Sequence, residues 1–331
     1  MSNIQTLTRW GIIGCGDVCE VKSGPAFQKV VGSELVAVMR RNGTLAADYA
    51  HRHGVETYYD EADELIADPE VDAIYIATPP SSHCEYTLKA ATAGKPVYVE
   101  KPMATSFEEC QQMIRACQEA GVKLWVAYYR RRLAHFEKIR TLIREGVIGK
   151  VRLVNLELYQ SPQPELVAAH QLKNWRVQPE ISGGGYFFDL ASHQLDLLDY
   201  WFGPIVKVSG LTFNQAALYE AEDIVSASWQ HENGVMGSGI WCFSVSPQAA
   251  RESCEIIGSK GVIRFQFFGS GVVRWETANG KEQVEFEMPM HIQQPLIESI
   301  MGEIQGKDRC PSDGVSGART NWVMGQIAKN K

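Results

Sequence analysis

Trp10-Gly11-Ile12-Ile13-Gly14-Cys15-Gly16-Asp17-Val18-Cys19 decides how this chain is read. A short apolar run, Trp10–Ile13, passes straight into two glycines one residue apart. The small Cys19 stands where a dinucleotide fingerprint carries its third glycine. Gly14 suits a tight turn, and Gly16 suits a backbone that a pyrophosphate approaches at a helix N-terminus, with Asp17 and Val18 joining the cofactor-binding set. Alone, Gly-x-Gly also fits an ordinary turn. Here it opens an alternation of strand and helix signals that runs to about residue 130, which favours the nucleotide reading.

Outward from that turn, the apolar runs Glu34–Met39, Ala73–Ala77, Val97–Val99 and Leu124–Ala127 are short, as buried parallel strands are. Between them lie helical patterns: Leu45–His53 closed by Gly54, Glu61–Ala67 stopped by Pro69, and His83–Ala93 closed by Gly94. Another opens at Ser106, with Glu109 completing a capping box, and ends before Gly121. The alternation predicts an α/β doubly wound parallel sheet. Gly24-Pro25 is expected to cut short or kink the first helix.

Beyond residue 130 the pattern changes. A helix over His135–Glu145 precedes an alternating strand, Val151–Tyr159, and a loop with Pro162 and Pro164. Gly183–Gly185 opens a helix that runs to about Phe202. Seven closely spaced strand candidates follow from Ile205 to Met288, with Glu232-Asn233-Gly234 and Ala278-Asn279-Gly280 as hairpin signals. This predicts an α+β domain on an open, mostly antiparallel sheet. Helical patterns at Ile292–Gln305 and Val315–Ala328 finish the chain. The division is therefore 1–130 for the nucleotide and 131–331 for substrate and oligomerisation, with the last helix free to pack back on the first domain.

The end of the second strand reads Val38-Met39-Arg40-Arg41-Asn42, without the acid that grips a ribose 2′-hydroxyl. Two guanidinium groups there suit a 2′-phosphate, so Arg40 and Arg41 put NADP ahead of NAD. Thr78-Pro79-Pro80 with His83, and Glu100-Lys101-Pro102, both follow strands at the edge where open α/β sheets bind ligands. Pro102 keeps Lys101 out of helical geometry and presents it from a loop. In the second half, Asp189, His193 and Asp196 are spaced to share one helix face. Their pattern alone weighs a local hydrogen bond about equally with a catalytic cluster.

At 331 residues and a net charge of −7, nucleic acid is not expected as a partner, since phosphate backbones need a basic surface. Met1–Arg9 lacks a basic region followed by an apolar run, and no stretch is apolar enough to span a bilayer, so a cytoplasmic protein is expected. Eight cysteines without a Cys-x-x-Cys pair point to reduced, buried thiols and no metal site. His51, His53, His135, His170, His231 and His291 show no constellation. Trp229, Trp241, Phe265 and Phe267 alternate on strands and read as core or interface.

Gly14-x-Gly16, Thr78-Pro79-Pro80 with His83, and Glu100-Lys101-Pro102 resemble the glucose–fructose oxidoreductase/inositol dehydrogenase (Gfo/Idh/MocA) family. The likeness continues through Tyr129-Arg130-Arg131, Ile148-Gly149-Lys150, Trp175-Arg176 and the Gly183–Asp196 segment. The resemblance implies a Rossmann domain followed by an open-sheet domain that often mediates oligomers, here a dimer or tetramer. It implies Lys101, Asp189 and His193 as the catalytic set. It also places Trp175 and Arg176 beside the nicotinamide, and one of Arg130 and Arg131, with Arg130 preferred, at the cofactor or substrate. A proline common in the family is Ala134 here.

The chemistry is consistent with that set. An alcohol that gives up hydride must also lose a proton, which His193 can accept, while Lys101 stabilises charge on the same oxygen and Asp189 orients His193 or holds a hydroxyl. Whether Lys101 or His193 exchanges the proton stays open. The leading expectation is an NAD(P)-dependent oxidoreductase of a sugar, cyclic polyol or related hydroxylated small molecule. Its alternatives are a redox-neutral NAD-dependent glycosidase, a trans-dihydrodiol dehydrogenase, and a non-catalytic dinucleotide sensor, against which retention of the full catalytic set argues.

Overall fold

The computed structural model describes residues 7–162 and 174–329; Pro164, His170 and the first six residues lie outside them. Two compact units emerge: Met1–Arg131 with Pro289–Ala318, and Arg132–Met288 with Arg319–Lys331.

In the first unit six parallel strands form one sheet in the order β3-β2-β1-β4-β5-β6: β1 Thr8–Ile13, β2 Ser33–Met39, β3 Thr57–Tyr59, β4 Ala73–Ile76, β5 Val97–Val99 and β6 Leu124–Val126. The order reverses direction between β1 and β4, which is where a doubly wound sheet opens a ligand crevice. Strands β4, β5 and β6 are buried throughout, as their unbroken apolar runs require. Edge strand β3 is half exposed and carries no apolar run, so the sequence gives little sign of it.

The helices follow the cues of the sequence. Asn42 caps α3, Gly43–His53, by accepting from the Leu45 N–H, and Gly54 ends it at φ 66°. Ser106 caps the long helix Phe107–Glu119, and Glu109 returns to the Thr105 N–H at 2.9 Å. The first helix does break at Gly24-Pro25, into α1, Asp17–Val21, and α2, Gly24–Lys29. Gly24 is required there, because a Cβ would lie 2.1 Å from the Tyr49 hydroxyl and 2.3 Å from the Cys19 carbonyl.

The second unit is built on eight strands in the order β14-β13-β12-β11-β7-β10-β9-β8. These are β7 Val151–Tyr159, β8 Ile205–Phe213, β9 Ile224–His231, β10 Met236–Cys242, β11 Arg251–Gly258, β12 Gly261–Phe265, β13 Gly271–Thr277 and β14 Gly280–Phe286. All pairings are antiparallel except β7 with β10. Alternation sends Leu156, Trp229, Trp241, Ile263 and Val273 to a buried face. Phe136, on the helix Ala134–Arg144, meets Trp201, Phe265 and Phe267 there. Phe265 and Phe267, like Trp229 and Trp241, are thus core. The helix Ser192–Phe202 is fastened to the Gly314–Lys329 helix through Arg319, whose Nε donates to buried Asp199 at 2.9 Å.

Candidate active site

The strand ends of the first unit are stitched together one after another. Gly14 N–H donates to Met39 O at 2.8 Å, Ala77 N–H to Ile13 O at 2.8 Å, Glu100 N–H to Ile76 O at 2.9 Å and Ala127 N–H to Val99 O at 2.8 Å. Those bonds place Arg40, the glycine turn, the Thr78 turn and Glu100-Lys101 in one row along the carboxyl edge of the sheet.

Gly14 has φ 90°, and a Cβ there would sit 2.7 Å from Thr78 Cγ2 and 2.9 Å from Thr78 N, so only glycine lets the two turns approach. At Gly16 a Cβ would meet nothing closer than Gly14 O at 3.9 Å. The backbone of Gly16 therefore faces open space at the start of α1. This is the surface a pyrophosphate needs, and the residues present fit a dinucleotide. Cys19 replaces the third glycine without crowding: it is buried, and its thiol lies 3.8 Å from Gly14 O. Burial pushes the Cys15 thiol up to about 11, while the nearby Arg40 guanidinium acts in the opposite direction, which puts the arginine's charge within electrostatic reach of the glycine turn. Arg41 is exposed, and its neighbour Asn42 is committed to the α3 cap.

His83 is fully buried. One ring nitrogen lies 2.7 Å from Thr78 O, and the other lies 3.1 Å from Pro102 O and 3.2 Å from Met103 O. Burial holds it below the usual histidine range. It therefore joins the Thr78 turn to the turn after Lys101. Ser82 Oγ donates to Thr78 Oγ1 at 2.7 Å and tightens the same turn. Pro79 is half-buried and Pro80 buried. Glu100 is also buried. Its Oε1 accepts from the Tyr75 hydroxyl and from Gln293 Nε2, both at 2.6 Å, and its Oε2 accepts from the Lys101 N–H at 3.2 Å. Of the arginine pair after β6, Arg131 is bound to Pro311 O and to Ser316 Oγ at 3.1 Å, whereas the Arg130 guanidinium lies over the Tyr129 ring at 5.4 Å.

In the second unit Asp189 lies on a π-helical turn, Phe187–Ala191, that leads directly into the helix bearing His193 and Asp196. This turn departs from the regular helix expected after Gly183–Gly185. The wider turn inserts where Asp189 sits, and such turns gather at functional sites. His193 and Asp196 are buried, at 3% and 1% exposure, on a helix that also buries Leu195, Leu197 and Leu198. Asp189 is partly exposed and pairs with Arg176 Nε at 3.4 Å. The Arg176 guanidinium stacks on Trp175 at 4.5 Å, and Asn174 Nδ2 donates to the Tyr186 hydroxyl at 2.9 Å. Two polar contacts thus fasten residues 174–176 to the Tyr186–Asp189 turn.

Sequence reasoning missed Gln293, Tyr75 and His291, which the fold brings to the first unit's site. His291 Nδ1 donates to Val21 O at 2.6 Å, and its Nε2 lies 2.7 Å from Lys29 Nζ. All eight cysteines are free and buried. No helix among the described residues is long and apolar enough to cross a membrane.

A glycine turn at the switch point of a 3-2-1-4-5-6 sheet defines a dinucleotide-binding crevice, here in a chain with a second, mostly antiparallel unit. Residues 8–128 match the oxidoreductase family with NAD-binding Rossmann fold, and residues 136–264 match the GFO/IDH/MocA C-terminal domain. The chain is 40% identical to Oxidoreductase P35 of Formosa agariphila over 97% of this chain and 98% of that one. It is 27% identical to 1,5-anhydro-D-fructose reductase of Ensifer adhaerens over 94% and 92% of the two chains. The WlbA dehydrogenase of Bordetella pertussis, solved with NADH and UDP-GlcNAcA, superposes with a TM-score of 0.80 at 28% identity over 98% and 96%. The chain belongs to the Gfo/Idh/MocA family, and it is an oxidoreductase with an NAD-binding Rossmann domain.

Proposed function

We propose that this enzyme transfers a hydride between a nicotinamide dinucleotide, NADP ahead of NAD, and a hydroxyl-bearing carbon of a sugar or cyclic polyol. The observation that carries the reading is the row of turns at the carboxyl edge of the first sheet, where the open backbone of Gly16 follows β1 and the Glu100-Lys101 turn follows β5, one strand apart across β4. Gly14, Gly16, Asp17, Val18, Thr78, Pro79 and Pro80 cradle the dinucleotide, Arg40 and Arg41 take the 2′-phosphate, and Arg130, Trp175 and Arg176 attend its reactive end. His83 and Glu100 act from beneath by shaping the turns. The Bordetella relative was solved with NADH, so the NADP preference rests on this chain's two arginines and on the missing acid after β2.

When bound, the nicotinamide supplies the hydride acceptor or donor. Lys101, Asp189 and His193 act on the substrate oxygen: Lys101 donates a hydrogen bond that stabilises developing negative charge, and His193 takes or returns the proton. Asp189, already paired with Arg176, orients His193 or grips a neighbouring hydroxyl. The Ensifer relative is named for reducing an anhydro sugar, and the Bordetella dehydrogenase was solved with UDP-GlcNAcA, which supports that substrate class. The protein is read as cytoplasmic and as a homodimer or homotetramer, associating through the uncovered sheet face.

The test is a panel of sugars and polyols with NADP+, read by absorbance of the reduced nicotinamide. At least one member is expected to give net reduction. Product without accumulated reduced cofactor would favour the redox-neutral glycosidase instead, and no turnover with any member would favour a sensor.

A further inference from the structure

Gln293 stands at the N-cap of the helix Gln294–Ile304, but its side chain does not cap it. It is fully buried and spent elsewhere. Its Nε2 donates to Glu100 Oε1 at 2.6 Å across 193 residues of sequence, and its Oε1 accepts from the Tyr98 hydroxyl at 2.7 Å. Its backbone N–H donates to Lys22 O at 3.1 Å, where α1 gives way to α2. The Tyr75 and Tyr98 rings stack at 4.9 Å, and burial drives both phenols well above their usual range, so they remain hydrogen-bond donors.

Tyr75 O–H, Gln293 Nε2–H and Lys101 N–H all donate to Glu100. A carboxylate has the lone pairs to accept all three. The charge of Glu100 also reaches the buried Cys19 thiol and the His83 imidazole. An amide meets the carboxylate without adding a cation beside a residue whose own backbone is bonded to it.

We propose that Gln293 is a positioning residue for Lys101: its amide fixes the Glu100 side chain, and Glu100 in turn holds the main chain of Lys101. The inference rests on the reading of Lys101 as catalytic, and its test separates the two. In Gln293→Met the carboxylate keeps the Tyr75 and Lys101 donors but loses a third, buried one, so it takes up a proton at a higher pH than in the wild type. As pH is lowered, the cofactor-free variant gains an infrared carbonyl band of a buried carboxylic acid before the wild type does, and that band disappears when Glu100→Gln is added. With cofactor, kcat falls about 10- to 100-fold, the scale of a small displacement of a reacting group, while KM for the dinucleotide stays within a few-fold.

Gln293→Glu is the conservative rescue and guards against a Met variant that fails to fold. Two carboxyls at this distance share one proton. That proton is bound more tightly in the folded protein than in the unfolded chain, so its contribution is present at low pH and is lost as pH rises. The expected kcat is near wild type at the acid end and falls towards neutral pH, on a limb absent from the wild type. A Gln293→Met enzyme with unchanged kcat and an infrared band no earlier than that of the wild type, or a Gln293→Glu profile that superimposes on the wild type, overturns the proposal. If Lys101→Met left turnover intact while the infrared band still appeared, the catalytic reading would fail and the hold on Glu100 would stand.

Discussion

Arg40 concentrates the cofactor question in one side chain. It leaves β2 with its N–H bonded to Tyr59 O at 3.2 Å, and its guanidinium acts on the glycine turn through Cys15. A hydrogen bond to a charged partner contributes roughly 1.5–3 kcal/mol, which is about 10- to 100-fold in affinity. Arg40→Ser is therefore expected to weaken NADPH binding by about that factor and leave NADH within a few-fold, in a fluorescence titration. Tighter NADH than NADPH binding by the wild type would sink the preference. At this scale the sequence speaks most clearly where a residue type has a local job. Gly14 and Gly16, the Ser106 cap and the Gly24-Pro25 break all read from neighbours a few positions away, whereas the Asn42 cap of α3 emerges only in the structure. Gln293 and Tyr75 do not, because what they do is defined by a partner distant in sequence.

Between elements, the helix after the glycine turn is tied to α3 by a charge cluster. Glu20 Oε2 accepts from Arg52 Nη1 at 2.7 Å and lies 2.8 Å from His53 Nε2, and Arg52 Nε also reaches Asp48 at 2.8 Å. The Arg52 hydrogen bond holds Glu20 down at about 2, against 4.5 when free. A depressed carboxyl stabilises the fold above its unfolded value, and the contribution is lost as pH falls through the folded one. The urea midpoint gap between wild type and Glu20→Gln should accordingly shrink as pH falls from about 4.5 to about 2. A gap independent of pH would contradict the cluster. Glu20 is about one-third exposed, so solvent screens the pair and the gap stays modest. The elements themselves were legible through periodicity: buried runs gave β1, β4, β5 and β6, and alternation gave the second sheet. The π-turn at Phe187–Ala191 was not, because its residues also fit an ordinary helix.

At the scale of the whole molecule, one face of the second sheet exposes a group of apolar side chains among the described residues. Leu211 and Phe213 on edge strand β8 are 75% and 66% exposed, and Met236 and Ile240 on β10 are 54% and 39% exposed. Register puts Leu211 opposite Ser226 and Ser226 opposite Ile240, so these side chains share one face. Apolar area of this kind marks an association surface. Sedimentation should find the wild type as a dimer or tetramer, and Leu211→Asp with Phe213→Asp should shift it towards monomer. A monomeric wild type at micromolar concentration would contradict the assignment. Strand alternation reports only that these side chains leave the core, and it does not say what covers them.

The central claim is that Lys101 takes part in hydride transfer from a dinucleotide held over the Gly14–Gly16 turn. The most direct measurement is single-turnover absorbance of the reduced nicotinamide, comparing Lys101→Met with wild type on a substrate the panel identifies. The expected result is a transfer rate about 10²- to 10³-fold slower, the range for a positioned donor to developing negative charge, with dinucleotide affinity within a few-fold. A Lys101→Met rate equal to the wild-type rate would contradict it.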